Sequence, residues 1–312
     1  MQQIIRMVLA TACYYDAMDY PLTAFEVWKY LTYEDISNLR EQYRKPHALG
    51  EIVEILESLV RDGRLVNCDG FYTLPDRERL VTLRLSRNNL SVRKLRKMSN
   101  MMRVLKFVPF VRQVWVTGRL AMKFAQSGSD LDALIVLKSG RIWIGRLVVT
   151  VVVHLLGWRR HGKYTRDRLC LNYFITTESM EISLDGRFSA HEYMMARCLF
   201  ASVAPSKFLI ANSWISRFRP HFDALLILPS LYQVSDSSFA HFVRKIGEKL
   251  FGGKWLERLV RKVQRAKILR NPKTFCAGSM IVTNDKELIF LPNPHSPQIM
   301  RKYQALCQAQ GF

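Results

Sequence analysis

The pattern of apolar and polar positions in the first part of the chain predicts helices followed by a hairpin. Apolar residues recur at helical spacing in three segments: residues 4–15, 23–31 and 49–62. Thr23 and Glu26 have the Thr-x-x-Glu spacing of a capping box at the start of the second helix. Two short apolar runs flank Asp69-Gly70, a dipeptide typical of tight hairpin turns. Three helices and a hairpin predict a winged-helix-like domain over residues 1–85.

The polar face of the third predicted helix is acidic. It carries Glu51, Glu54 and Glu57, with Arg61 only at its end. A helix that enters the major groove of DNA should be basic, because contacts with phosphates dominate the affinity for nucleic acid. We therefore favour a structural or protein-contacting role for this domain. A winged-helix transcription regulator is the weakest of the functional hypotheses.

Residues 114–137 are the most informative stretch of the chain. Their pattern predicts a buried strand over 114–117, a break at Gly118, a short helix over 120–126, a turn over 127–129 and a second buried strand over 131–137. Asp130 and Asp132 stand at the start of the second strand, and alternation along a strand places their side chains on one face. Paired carboxylates bind Mg²⁺, and backbone N–H groups at a glycine turn bind phosphate. Together they predict a site for a metal–nucleotide complex.

This order of an apolar strand, a glycine turn, a short helix and Asp-x-Asp in a second apolar strand resembles the signature of the DNA polymerase β-like nucleotidyltransferase superfamily. The resemblance rests on Gly118, on its spacing to Asp130, and on Asp132 with its apolar neighbours. A wider stretch, residues 20–176, resembles a bacterial group that places a winged-helix-like region before such a domain. The resemblance implies transfer of a nucleoside monophosphate from an NTP to an acceptor.

In this interpretation Asp130 and Asp132 are the catalytic residues and hold Mg²⁺ against the triphosphate of the NTP substrate. The candidate nucleotide-binding residues are Thr117, Gly118, Arg119 and Ser129. Arg119 stands where the family has a small residue. Its guanidinium could bind phosphate bidentately, or its bulk could fill the nucleotide space.

The family supplies a third acid from a neighbouring strand, and this chain has Asn172 at the corresponding position of a predicted strand over residues 169–176. Asn172 is thus a possible third ligand position. A neutral amide is a weak ligand for Mg²⁺, so a two-metal site is in doubt. The acids that could reach the site instead are Asp167, Glu178 and Glu181.

Outside the central motif the sequence predicts a charged connector over residues 77–87 that marks a domain boundary. The further predicted helices cover residues 91–107, 141–158, 190–201 and 254–270, of which the first and the last are basic and amphipathic. The fold class is therefore α+β. It comprises a nucleotidyltransferase-type mixed sheet with flanking helices over residues 86–184, followed by a mainly helical region over residues 185–312.

Composition narrows the range of partners. The 312 residues carry a formal net charge of +21, which favours polyanions such as nucleotides, RNA, DNA or an anionic membrane surface. The six cysteines are scattered without metal-site or disulfide spacing, which fits a reducing cytoplasm. Residues 142–158 are apolar but include Arg146 and His154, and they fall short of the ~20 apolar residues of a membrane span. We therefore expect a cytoplasmic protein without a membrane span.

Two functional hypotheses stay open. The first is a nucleotidyltransferase that binds Mg²⁺ and NTP and acts on an unknown acceptor. The second is a catalytically impaired nucleotidyltransferase fold that binds RNA, DNA or a protein through its basic surfaces, and it is motivated by Arg119, Asn172 and the net charge. The sequence does not determine the base, the acceptor or the oligomeric state.

Overall fold

A computed structural model of the chain describes residues 2–33, 47–225, 229–292 and 294–312. The α+β class is confirmed: within these residues, six strands form a mixed sheet with flanking helices, and three short strands form a separate antiparallel sheet.

The N-terminal part contains helices α1 (Gln2–Asp16), α2 (Ala24–Lys29) and α3 (Leu49–Arg61) and strands β1 (Leu22–Thr23), β2 (Val66–Cys68) and β3 (Phe71–Thr73). The capping box is confirmed. The Glu26 backbone N–H donates to Thr23 Oγ1 over 3.3 Å, and the Thr23 N–H donates to Glu26 Oε2 over 3.2 Å. Asp69 and Gly70 both have positive φ, as a two-residue hairpin turn of this type requires. The strand order is β1-β3-β2.

The larger sheet has the order β7-β4-β5-β6-β9-β8 in the described residues. Its strands are β4 (Val111–Val116), β5 (Leu131–Leu137), β6 (Leu169–Thr176), β7 (Arg197–Ala201), β8 (Met280–Thr283) and β9 (Glu287–Leu291). Strands β5 and β6 are parallel and the other neighbours are antiparallel. Helix α6 (Ile142–Leu155) makes the crossover that a parallel pair requires.

Strand β5 is covered on both faces, which explains why its sequence is almost continuously apolar. Leu131 and Ala133 belong to one apolar layer, and Leu134 and Val136 belong to the other. A strand between two packed layers does not need the alternation of polar and apolar residues that a half-exposed strand shows. The predicted bounds of β5 and β6 are confirmed for the same reason.

The predicted connector over residues 77–87 is wrong from residue 79 onwards. Helix α4 (Arg79–Leu105) runs through it without interruption. Its charged side chains make contacts that a linker would not make: the guanidinium of Arg84 lies 3.5 Å from the ring centre of Tyr20, and that of Arg87 lies 4.2 Å from the ring centre of Phe124. Cation–π contacts with buried aromatic rings stabilise this part of the helix.

Two predicted helices are shorter than expected. Helix α5 (Gly118–Ala121) ends well before residue 126, because Lys123 has a positive φ that a continuing helix does not permit. Helix α7 (Arg187–Met195) is followed by strand β7, so the predicted helix over residues 190–201 is wrong in its second half. A short apolar segment can form a buried strand or a helix. Residues 197–201 form a strand because they pair with β4.

The region after residue 184 contains more helix than strand in its described part, but it also supplies β7, β8 and β9 to the sheet. Its helices are α7, α8 (Ser206–Ala211), α9 (Ser238–Phe251), α10 (Lys254–Leu269) and α11 (Ser296–Ala309). The sheet therefore takes strands from both sides of the predicted boundary at residue 184. The boundaries 1–85, 86–184 and 185–312 stay predictions.

Helix α6 forms most of the apolar segment, residues 142–158, whose length falls short of a membrane span. It packs with α10 on the sheet, and its N-terminal N–H groups at Trp143 and Ile144 donate to the carboxylate of Glu257 in α10. Among the described helices, none combines the length and the apolar character needed to cross a bilayer.

Candidate functional site

The two predicted carboxylates lie together at the entrance of β5. Asp132 pairs with Cys170 across the parallel β5–β6 ladder, and Asp130 precedes the strand. One ligand atom each of Asp130, Asp132 and Cys170 lies within 4.8 Å of the others. The strand entrance therefore gathers two carboxylates and a thiol into a group compact enough to surround one cation.

Gly118 closes one side of this group. Its φ is +63°, and a Cβ built on it would lie 2.9 Å from Oδ2 of Asp132. A side chain at this position would therefore be strained and would also collide with the carboxylate. The adjacent Thr117 is buried, and its N–H donates to the backbone carbonyl of Asp132 over 3.2 Å. The glycine turn and the carboxylate are thus in direct contact, as the spacing predicted.

A guanidinium faces the carboxylates from the basic loop over residues 158–168, between α6 and β6. Nη1 of Arg160 lies 2.7 Å from Oδ2 of Asp130 and donates to Sγ of Cys170 over 3.3 Å. No described residue donates an aligned hydrogen bond to Asp130 Oδ2, so the contact with Arg160 is an ion pair. Arg119, the arginine singled out in the sequence, has an exposed side chain.

Asn172 stands beside Asp132 on β6, where the missing third acid was expected. Its Nδ2 lies 3.5 Å from Oδ1 of Asp132, so the amide faces the carboxylate as a weak donor. The alternative acids make other contacts. Asp167 forms ion pairs with Lys94 and Lys97, and Glu178 accepts a hydrogen bond from Ser139 Oγ. Glu181 is exposed.

Glu192, in α7, is the acidic residue that the sequence analysis missed. Its carboxylate interacts with the backbone N–H of Gly118 and is close enough to Asp132 for the two charges to repel. Burial and the charge of Asp132 raise the pKa of Glu192 to about 7, while the Gly118 N–H opposes this rise. No spacing rule could have found Glu192, because it lies 60 residues beyond Asp132 on a helix that only the folded chain brings to the site.

Asp132 is a carboxylate with a strongly raised pKa. Burial and the charge of Asp130 raise the pKa of Asp132 to about 7, and the guanidinium of Arg160 opposes the rise. Burial and the same two carboxylates raise the pKa of the Cys170 thiol to about 12, so this group is a neutral thiol at neutral pH. The site therefore combines crowded negative charge with a thiol that is not a thiolate.

The turn before Asp130 is held by a buried lysine. Nζ of Lys94 donates to the carbonyls of Ser127 and Ser129 over 3.2 and 2.7 Å, and it lies 2.9 Å from Oδ1 of Asp167. The hydroxyl of Ser129 donates to the carbonyl of Gln126 over 2.9 Å. The predicted nucleotide-binding residue Ser129 thus contributes to the local turn, and α4 positions the carboxylates through Lys94.

Comparison of the chain with protein-family models, with curated proteins and with solved structures gives no significant match. The functional assignment therefore depends on the residues and the geometry of this site.

Proposed function

We propose that the chain is a nucleotidyltransferase-like protein that binds Mg²⁺ and an NTP at Asp130 and Asp132. The observation that carries the proposal is the close packing of Gly118 against Asp132 of the acid pair. A Cβ built on Gly118 would lie only 2.9 Å from Asp132 Oδ2. A backbone turn without a side chain, placed against two carboxylates, suits a ligand that carries phosphates and a divalent cation.

The donor atoms favour a hard cation. Carboxylate oxygens of Asp130 and Asp132 are ligands that Mg²⁺ prefers, and they outnumber the single sulfur donor, Cys170, in the group. Asp130 Oδ2 is buried and faces the guanidinium of Arg160, so this oxygen already has a cationic partner that a metal ion would replace. When bound, Mg²⁺ supplies charge neutralisation for the triphosphate and activation of the attacking hydroxyl.

The other residues are assigned by what they contact. Asp130 and Asp132 hold the cation beside the glycine turn, whose N–H groups at Thr117 and Gly118 already contact the Asp132 carbonyl and Glu192. Arg160 is half-exposed and moves from Asp130 to a phosphate of the bound NTP, since a guanidinium binds phosphate oxygens well.

Two further residues face Asp132. Glu192 lies beside the Gly118 turn, outside the group of ligand atoms that Asp130, Asp132 and Cys170 form, and it acts on the charge of Asp132. Asn172 orients Asp132 through its amide and is a positioning residue. In this proposal, the two aspartates hold the cation and no third acid is assigned as a ligand.

Calorimetric titration of Mg²⁺ with each common NTP tests the proposal. We expect binding by the native chain, loss of binding in the double variant Asp130→Asn/Asp132→Asn, and a reduced affinity in Glu192→Gln. Asp62→Asn, at an exposed helix end, is the matched control and should bind like the native chain. Equal binding by all of these variants would end the proposal.

A second candidate function is favoured by the Arg160–Asp130 ion pair. If this guanidinium is the permanent counter-ion of the acid pair, the fold binds RNA or DNA through its basic surfaces and does not turn over NTP. Release of pyrophosphate from an NTP by the native chain would exclude this candidate. Salt-dependent binding to nucleic acid without pyrophosphate release would support it.

We also propose that the larger sheet is of the nucleotidyltransferase type and that the N-terminal elements form a winged-helix-like domain. The order of α1, β1, α2, α3 and the β2–β3 hairpin supports the second assignment. The acidic face of α3 favours a structural or protein-contacting role for it.

A further inference from the structure

Helices α9 and α10 follow one another across Gly252-Gly253, and each exposes a row of large apolar side chains. The row on α9 consists of Phe239, Phe242, Ile246 and Leu250. The row on α10 consists of Trp255, Leu259 and Val263. Both rows follow the spacing of one helix face. The inner faces are separate from these rows: Ala240 and Arg244 are buried in α9, and Val260 and Ile268 are buried in α10.

A second strip on the same two helices is basic. Residues 238–270 contain ten lysines and arginines and two glutamates. Both glutamates are used internally, since Glu248 pairs with Arg112 and Lys138, and Glu257 caps the N-terminus of α6. The exposed charge of helices α9 and α10 is therefore positive throughout.

The basic strip borders the apolar rows. Lys245 and Lys249 lie within one helical turn of Phe242 and Ile246 on α9. On α10, Arg258 and Lys262 are exposed and lie within one turn of Trp255, Leu259 and Val263. Each helix thus has three strips: one packed on the protein, one apolar and exposed, and one basic and exposed.

Helix α6, on which α10 packs, also exposes apolar side chains. The outer face of α6 exposes Leu147, Val151 and Leu155, again at intervals of one helical turn. Helix α10 packs on α6 and follows α9 in the chain, and the exposed apolar faces of these three helices exceed the scattered apolar residues of an ordinary protein surface. They therefore need a partner that covers apolar side chains.

Charge decides between the possible occupants. Nucleic acid would use the basic strip but would leave the apolar rows without a partner. A second copy of the chain would cover the apolar rows but would place one strongly basic surface against another. A bilayer rich in anionic lipid accepts both: the apolar side chains enter the boundary between headgroups and acyl chains, and the lysines and arginines contact the lipid phosphates.

We propose that helices α9 and α10, together with the outer face of α6, bind the surface of anionic membranes as a peripheral contact. The occupant is a bilayer containing anionic phospholipid, and no residue crosses it. This proposal does not depend on the function assigned to the Asp130–Asp132 site, and it adds a place at which that site would operate.

Co-sedimentation of the full chain with lipid vesicles tests the proposal. We expect binding to vesicles of equimolar phosphatidylcholine and phosphatidylserine, weakening with salt, and little binding to phosphatidylcholine alone. Leu259→Ser should weaken the binding by on the order of tenfold, because it removes a side chain that enters the bilayer. Leu85→Ser is a matched control, because Leu85 of α4 and Leu259 are helical leucines that are each 51% exposed.

The charge contribution is tested separately. Arg258→Gln/Lys262→Gln should weaken binding by about fivefold for each charge removed, whereas Arg93→Gln/Arg96→Gln on α4 should have no such effect. The six tryptophans all lie in described segments, and Trp255 is the one that is exposed. Its fluorescence should shift to the blue when its ring leaves water for the bilayer. The shift should disappear in Trp255→Phe.

Three outcomes would overturn the proposal. The first is that the full chain does not bind anionic vesicles. The second is that Leu259→Ser and Leu85→Ser weaken binding equally, which would place the contact elsewhere. The third is self-association that depends on Leu259 in the absence of vesicle binding, which would identify a second copy of the chain as the occupant.

Discussion

Nη1 of Arg160 lies 2.7 Å from Oδ2 of Asp130, so the acid pair at the entrance of β5 already has a cationic neighbour from the protein itself. This guanidinium comes from the loop between α6 and β6, 30 residues after Asp130. In the proposed function, this guanidinium competes with the metal ion for the same oxygen and binds a phosphate. The effect of removing this guanidinium on ligand binding therefore distinguishes the two candidate functions.

Arg160→Gln should bind Mg²⁺ more tightly than the native chain, because the competing cation is removed. The same variant should bind NTP in the presence of Mg²⁺ about tenfold more weakly, because one charged hydrogen bond to phosphate is lost. Titration calorimetry measures both. Arg166→Gln, at an exposed position in the same loop, is the control. Mg²⁺ binding by the variant but not by the native chain would show that Arg160 permanently replaces the metal.

Gly118→Ala should abolish Mg²⁺–NTP binding, because a Cβ would lie 2.9 Å from Asp132 Oδ2 and would displace the carboxylate. The positive φ adds strain of about 1 kcal/mol. Gly140→Ala carries similar strain at φ +68° but has no atom within 4 Å of its Cβ. The two variants should lose similar stability in urea, and only the first should lose ligand binding. Normal binding by Gly118→Ala would contradict the role of the turn.

Lys94→Met should destabilise the chain by about 3–5 kcal/mol, because it leaves Asp167 and two carbonyls at the turn without their buried partner. Lys97→Met removes the exposed partner of the same carboxylate and should cost less than about 1 kcal/mol. Urea unfolding followed by fluorescence measures both. Equal losses would mean that burial of Lys94 does not matter.

Glu248→Gln should lower the free energy of unfolding at pH 7 by about 1–3 kcal/mol. Burial alone would raise the pKa of Glu248, but hydrogen bonds and charges from Lys138 and Arg112 outweigh it and hold the pKa below its usual 4.5. A carboxylate with a depressed pKa stabilises the folded state above its unfolded pKa and loses this contribution as the pH falls through its folded pKa. The difference between the native chain and the variant should therefore shrink below about pH 4.5. A difference independent of pH would exclude the ionised carboxylate as its source.

Much of the local structure follows from short-range patterns. The capping box at Thr23, the hairpin at Asp69-Gly70 and the bounds of β5 and β6 are all confirmed, because each depends on neighbouring residues or on one uninterrupted apolar run. The errors have a common origin. Helix α4 and strand β7 depend on partners that lie far away in the sequence.

The candidate site likewise depends partly on short-range spacing and partly on partners that lie far away in the sequence. The sequence by itself determined the acid pair and its glycine turn, since a strand, a turn and the next strand bring Gly118 and Asp132 together over a short length of chain. Only the tertiary structure decided that Arg160 pairs with Asp130, that Glu192 lies beside Gly118, and that α9 and α10 leave apolar rows uncovered. The physical reason is that residue spacing sets which side chains share one element, whereas packing between distant elements sets which charges and surfaces meet.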